Sequence, residues 1–248
     1  MREGLDRQGR IDWAGGAIFR PVRTGNAFEE TVERILQAIK LGVFSYGDRL
    51  PAERDLATRL NISRVTLREA MRSLQQAGYV ESRRGRYGGT FVTYQVAAPG
   101  PDDLRRVAEG MGAQLTDALT YRLVLEVGAA ERAAERQLTD EQRAYLRTRL
   151  LELESASPVD YRSADSRFHL AIAELTGSDS LAASIADARM RLNDLLNAIP
   201  VLDRNIEHST AQHRAMAEAI LQGDPEGARR ATEEHLAGTA SLLRAFLG

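Results

Sequence analysis

The chain has 248 residues, 43% of them hydrophobic and 27% charged, with a net charge of −2 and no cysteine. This composition is that of a globular chain long enough for one or two cores, and it excludes disulfide and thiolate chemistry. No apolar run approaches the ~18 residues needed to span a bilayer, and the first residues hold no signal-type apolar segment; no membrane partner is expected, and the expected location is a bacterial cytoplasm.

The small net charge conceals an imbalance. Residues 1–95 hold 16 basic and 11 acidic side chains (+5), and the remainder holds 17 and 24 (−7). A basic N-terminal part beside an acidic C-terminal part suits a nucleic-acid module joined to one that avoids nucleic acid.

Residues 1–26 show no apolar periodicity and read as a mobile tail. Phe28, Val32, Ile35, Ile39 and Leu41 then recur at helical spacing, predicting a helix over 27–41 that Gly42 ends. Leu50-Pro51 opens a second helix over 52–60, because proline's missing N–H would be unpaired at a helix start anyway. Asn61-Ile62 is a turn, and Ser63 caps a third helix with a buried stripe of Leu67, Ala70, Met71 and Leu74. Two short strands, 79–83 and 90–94, flank the tip Gly85-Arg86-Tyr87-Gly88-Gly89. Residues 27–95 therefore read as a winged helix-turn-helix. Residues 96–101, with Pro99 and Pro101, read as a linker. Beyond it no strand signal stands out, and helices are predicted at 102–111, 114–136, 139–154, 158–176, 179–197, 204–222 and 225–246. The fold class is thus mainly α, with 102–248 an all-α bundle of six or seven helices, expected to be a module for sensing an effector and for pairing two copies of the chain.

Arg64 and Arg68 stand i, i+4 on the face of the third helix opposite its apolar stripe, near the end that meets base edges in a major groove. Arginine binds guanine bidentately, and the hydroxyls of Ser63 and Thr66 suit phosphate or base contacts. Arg54 sits at the start of the second helix, and Arg83, Arg84 and Arg86 arm the wing, where Gly85 permits close approach to a duplex. Each arginine taken singly is a plain solvated charge. Together with the helix pair and the basic glycine hairpin they point to DNA. The tract LPAERDLATRLNISRVTLREAMRSLQQAGYVESRRGRYGGTFV also resembles the DNA-binding domain of the GntR family of bacterial transcription regulators, over about 27–94. That resemblance implies that Arg54, Arg64 and Arg68 contact operator bases or phosphates and that Gly85 approaches the minor groove. Ala52 departs from the many relatives with a capping serine there.

Three of the four histidines fall in a pattern. Asp165 and His169 are i, i+4 on one helix. His213 precedes Gly223 by 10 residues and His235 follows Gly227 by 8, which places them roughly 15 and 12 Å from one turn, at similar height if the helices pack antiparallel. One carboxylate and three imidazoles suit a divalent transition metal such as zinc; alternatively these are unrelated histidines of core and surface. His208, about 140° around the helix from His213, should point elsewhere. The segments DSRFHLAIAELTGS and HRAMAEAILQGDPEGARRATEEH resemble the FCD effector domain of the FadR-type branch of the GntR family, over about 103–244. By that resemblance Asp165, His169, His213 and His235 bind zinc, nickel or another first-row ion, and a small carboxylate binds beside it. Arg122 falls where the domain holds an effector carboxylate, although it can instead pair on the surface with Glu126; Asn193 is a further effector candidate.

The resulting expectation is a homodimeric transcriptional regulator, a repressor and not an enzyme, that reads a palindromic operator and answers to a small organic acid. The same regulator with a fatty acyl-CoA effector and no metal is an alternative. A metal-dependent hydrolase is another, although no further carboxylate or histidine spacing nominates a general base.

Overall fold

The computed structural model describes residues 18–19, 27–95, 112–197, 199 and 203–247. Chain contacts divide it into two compact units, Met1–Gln95 and Val96–Gly248. The predicted linker 96–101 and the short helix predicted at 102–111 lie outside the described residues.

In the first unit, helices α1 (Ala27–Lys40), α2 (Glu53–Leu60) and α3 (Arg64–Gln76) precede an antiparallel pair, β1 (Val80–Arg83) and β2 (Gly89–Val92). The predicted stripe is the core: Leu67, Ala70, Met71 and Leu74 of α3 are buried with Ile35 and Ile39 of α1. The turn between α2 and α3 works because Asn61 takes the left-handed conformation at φ 53°, where asparagine is tolerated. The Ile62 N–H thereby turns back to the Ala57 carbonyl at 3.0 Å. Ser63 then caps α3 by accepting the Thr66 N–H at 3.0 Å. The second helix begins at Glu53 with Ala52 as its cap residue, contributing no side-chain hydrogen bond, so Pro51 lies just outside the helix and not within its first turn.

The wing is tied to the helices by backbone bonds. Leu50 N donates to Thr90 O at 2.8 Å and Val92 N donates to Asp48 O at 2.9 Å, so the segment before α2 pairs with β2 as a third, minimal strand. β1 starts one residue later than predicted and ends where predicted, whereas β2 starts one residue earlier and ends two earlier, with Val80 opposite Val92 and Arg83 opposite Gly89. Within the stretch expected to be a mobile tail, Ile18 and Phe19 are buried, and the Phe19 ring lies 6.0 Å from that of Phe44.

The second unit holds α4 (Gly112–Ala134), α5 (Asp140–Glu154), α6 (Tyr161–Leu175), α7 (Asp179–Leu196), α8 (Asp203–Gln222) and α9 (Pro225–Leu247). Thr139 opens α5 with a reciprocal box: Gln142 N donates to Thr139 Oγ1 at 3.2 Å and Thr139 N to Gln142 Oε1 at 3.0 Å. The prediction that α6 starts at 158 is corrected to 161. Ser157 Oγ accepts the Asp160 N–H at 3.2 Å, which makes 157–160 a turn ahead of the helix. Gly177 and Gly223, both near φ 71°, end α6 and α8.

Two apolar clusters divide this bundle along its length. One contains Ala130, Leu138, Leu146, Phe168, Ile172, Met216 and Ile220. The other contains Leu115, Leu119, Leu192, Leu195 and Leu243. Two long helices reach both clusters: on α4, Leu119 of one is followed by Ala130 of the other, and on α9, Ala228 is followed by Leu243, about three and four turns apart. The inward positions between them are polar: Arg122 and Glu126 on α4, Asp165 and His169 on α6, Arg189 and Asn193 on α7, His213 on α8 and His235 on α9, all buried. The fold thus builds a polar layer between two greasy ones. Replacing Thr139 with alanine removes one side of the α5 box; chemical denaturation should show a loss of about 1 kcal/mol in stability of the helical unit, and no measurable loss would mean that the box is not holding the helix start.

Candidate nucleic-acid interface and metal centre

On the first unit, Arg64 and Arg68 are exposed on the solvent face of α3, and Arg54 is exposed beside them at the start of α2. Arg68 Nε donates to Glu53 Oε2 at 3.0 Å and Arg54 Nε to Asp55 Oδ1 at 3.3 Å. Such exposed ion pairs are worth about 0–1 kcal/mol, so both arginines are held in place yet readily exchanged onto a phosphate or a base. The Ser63 and Thr66 hydroxyls lie 2.8 Å apart; Ser63 therefore has a capping duty as well as a candidate contact. At the wing, Arg84, Gly85 and Arg86 are exposed, and Gly85 has φ 106° with open space where a Cβ would stand. The tight point of the hairpin is Gly88, where a Cβ would meet the Arg83 carbonyl at 2.5 Å. Arg83 differs from its expected place at the tip: its Nε donates to Glu81 at 2.6 Å and its guanidinium covers the Phe91 ring at 4.5 Å. Two exposed side chains were not anticipated, Val65 at 65% and Tyr87 at 83% exposure. Their signal was present, since each directly follows a predicted arginine contact, Arg64 and Arg86.

In the second unit, the ligand atoms of Asp165, His169, His213 and His235 all lie within 4.8 Å of one another. His213 Nε2 is 3.0 Å from Asp165 Oδ1, His169 Nε2 is 3.7 Å from the same oxygen, and the two Nε2 atoms are 3.3 Å apart. Ligands bound to a common ion at ~2.1 Å stand about 3.0 Å apart at right angles and about 3.4 Å apart at the tetrahedral angle. The donor set therefore fits a divalent transition ion. A second test agrees, because His235 Nε2 is buried without a hydrogen-bond partner, which is costly unless something else engages it. The outer partners are also in place. Glu126 Oε2 accepts from His169 Nδ1 at 2.8 Å, the arrangement that fixes a ligating imidazole, and Ser209 Oγ stands 3.4 Å from His235 Nδ1.

The charges are arranged around Arg189, which is 1% exposed. Its Nη1 donates to Glu126 at 2.9 and 3.2 Å, and its Nη2 donates to Asp165 Oδ2. Arg122 Nε donates to Glu126 Oε1 at 3.0 Å from the other side. Burial alone would raise both carboxyl pKa values. For Glu126 the Arg122 and Arg189 guanidiniums more than offset it, and for Asp165 Arg189 does, so both end well below the usual carboxylate range. Burial, reinforced by the Arg189 charge, pushes His169 down to about 4, and burial beside His213 lowers His235 as well. Both imidazoles are therefore neutral near pH 7, the form that binds metal.

A cavity of about 330 Å³ opens beside the cluster, lined by Arg122, Asp165, Asn193 and His235 and also by Tyr161, Arg162 and Gln212. Arg122 and Asn193 thus face the same space as two of the four candidate ligands, Asp165 and His235. Arg122 pairs with Glu126 as the alternative reading had it, but in the interior and not on the surface, and its Nη1 has no hydrogen-bond partner. Asn193 Nδ2 donates to Ser166 Oγ at 2.8 Å. His208, expected to point elsewhere, borders the cavity at an exposed position outside the four-residue group. Its rotation takes it off the ligand face of α8, yet it still reaches the cavity rim. Arg189 was missed altogether. Its partners lie 24 and 63 positions away in sequence, and no local spacing marks such a pair.

Two family profiles match the chain: "Bacterial regulatory proteins, gntR family" over 28–92 and "FCD domain" over 117–238. Among similar proteins, RmpR of Mycobacterium gastri, named as an HTH-type transcriptional regulator, is 34% identical across 88% of this chain and 81% of its own length. The HTH-type transcriptional repressor NanR of Salmonella arizonae is 32% identical across 92% of this chain and 88% of its own. Among solved structures, McbR/YncC of E. coli aligns with TM-score 0.50 and 20% identity over 88% of this chain and 97% of that one, a likeness of fold.

Removing Arg189 strands two buried carboxylates. Arg189→Met should lower the stability of chelator-treated protein by ~3–5 kcal/mol in urea denaturation, the usual loss when one partner of a buried ion pair is deleted; a loss under about 1 kcal/mol would show that solvent reaches Asp165 and Glu126.

Proposed function

The chain belongs to the GntR family of bacterial transcriptional regulators and carries an FCD domain, and from that premise we propose that it is a repressor whose grip on a palindromic operator is set by a small organic acid bound beside a metal in the helical unit. DNA binding and regulation are properties of the family, which is one of regulators and not of enzymes, so the hydrolase alternative is set aside. The repressor assignment draws on NanR, which is named a repressor. The observation that carries the effector reading is the four-residue cluster within 4.8 Å together with the adjoining cavity. That cavity lies at the small end of the ~300–1,000 Å³ range of ligand sites and has Arg122, Asn193 and Gln212 on its wall, which favours a compact acid over a long acyl-CoA.

In this reading Asp165, His169, His213 and His235 hold the ion, and Glu126 and Ser209 orient the imidazoles. When bound, the ion supplies a Lewis-acidic positive centre for an anion. Zinc or nickel suits the nitrogen and oxygen donors. Arg122 and Asn193 supply the polar contacts around that anion. Arg54, Ser63, Arg64, Thr66 and Arg68 engage the major groove while Arg84, Gly85 and Arg86 follow the backbone beside it. A homodimer places two such heads on a two-fold site; the exposed Tyr121, Leu123 and Val124 of α4 support an interface there. The effector alters operator affinity only to the extent that it binds the DNA-competent and DNA-incompetent forms unequally.

Selection of genomic fragments on the purified protein tests the DNA half of the proposal. A two-fold-symmetric site should emerge, and Arg64→Ala should weaken it by ~1–3 kcal/mol with relaxed preference at one position per half-site. Fragments retained without any common sequence at moderate salt would contradict it.

A further inference from the structure

The charge count of the polar layer points to the class of effector. This inference rests on the metal reading above and goes one step beyond it. The layer contains two buried acids, Asp165 and Glu126, and two buried bases, Arg122 and Arg189. Each carboxylate is held by a guanidinium: Arg189 bridges both, and Arg122 adds a second contact to Glu126 at 3.0 Å. Guanidinium does not lose its proton in proteins, and carboxylates so paired are ionised. The three imidazoles are neutral when they act as ligands. The layer is therefore neutral from its own side chains.

A divalent ion on Asp165 and the histidines then adds two positive charges that no residue of the layer offsets. Arg162, on the cavity wall, adds a further one; its Nη2 donates to the Ile199 carbonyl at 2.8 Å, and among the described residues it has no carboxylate within ion-pair distance. Uncompensated charge is expensive where water is scarce. Among the described residues the one acid on the cavity wall is Asp165, which Arg189 already engages. Neutralisation must come from what enters the cavity. The remaining wall, including Tyr161, Asn193 and Gln212, offers hydrogen bonds to hydroxyl or carbonyl oxygens, and a volume of about 330 Å³ sets a size limit.

We propose that the effector is a compact dianion, a hydroxylated dicarboxylate in chemical class, with one carboxylate at the metal side and the second toward Arg122 and Arg162. A monocarboxylate of the same skeleton leaves one charge of the ion unanswered and binds more weakly.

The test compares matched acids on full-length protein without a histidine tag. Metal content is first fixed by elemental analysis after loading with zinc. Calorimetric titration then compares malate with lactate and tartrate with glycerate, in zinc-loaded and in chelator-treated protein. In the zinc-loaded form the diacid of at least one pair should bind tenfold or more tightly than its monoacid, about 1.4 kcal/mol, and the preference should vanish on chelation. Arg122→Gln should shrink the preference to about threefold or less while leaving zinc stoichiometry unchanged. Zinc-loaded protein that binds a monoacid as tightly as its diacid, or that binds no diacid of the panel, overturns the dianion. Protein that takes up no stoichiometric zinc overturns the underlying metal reading as well, and the elemental analysis separates that failure from the first.

Discussion

Arg189 is the constraint on which the helical unit depends. Its guanidinium satisfies Asp165 and Glu126 at once, from a position 1% exposed. Without it, two carboxylates in the middle of a bundle would have only Arg122 between them, and burying an unpaired charge costs several kcal/mol. With it, the four helices that supply Glu126, Asp165, His213 and His235 can converge on polar side chains and still close. The apolar clusters on either side, around Phe168 and around Leu192, fix the height of that layer. Packing sets where the polar groups meet, and the ion pairs set how they are oriented.

The two units use arginine in opposite ways. On α2 and α3 the guanidiniums are exposed and held by weak pairs with Asp55 and Glu53, which a phosphate or guanine can replace at little loss. In the bundle the guanidiniums are enclosed and committed to carboxylates. That contrast explains how a chain with nearly balanced total charge can present one set of arginines to a polyanion while it encloses another. The regional imbalance of +5 and −7 reports the first use and hides the second.

Much of this was legible from spacing alone. The stripe Leu67, Ala70, Met71, Leu74 fixed which face of α3 turns inward, and so fixed Arg64 and Arg68 outward. Asp165 and His169, i and i+4, had to share a face, and counting from Gly223 and Gly227 brought His213 and His235 to one height; their rings are 4.3 Å apart between centroids. What escaped was anything decided between helices. Glu126 looked like a surface partner of Arg122 because i, i+4 spacing says that two residues meet but not whether they meet in water. Arg189 carried no spacing signal at all, since its carboxylates are on other helices. His208 was judged by its angle on α8, and angle does not say how wide a cavity opens beside the helix. Ser157-Pro158 resembled a helix start, but the Ser157 hydroxyl closes a turn that delays α6 by three residues.

The central claim is that the polar layer is folded and charge-balanced through Arg189 before any ion arrives, so that the metal acts as a ligand of the domain and not as its scaffold. Calorimetric titration of zinc into chelator-stripped, tag-free protein, with far-ultraviolet circular dichroism recorded before and after, tests this most directly. The account predicts one ion bound per chain and the same helical signal in both spectra. Helical signal lost on stripping and regained with zinc, or a titration without stoichiometric uptake, would contradict it.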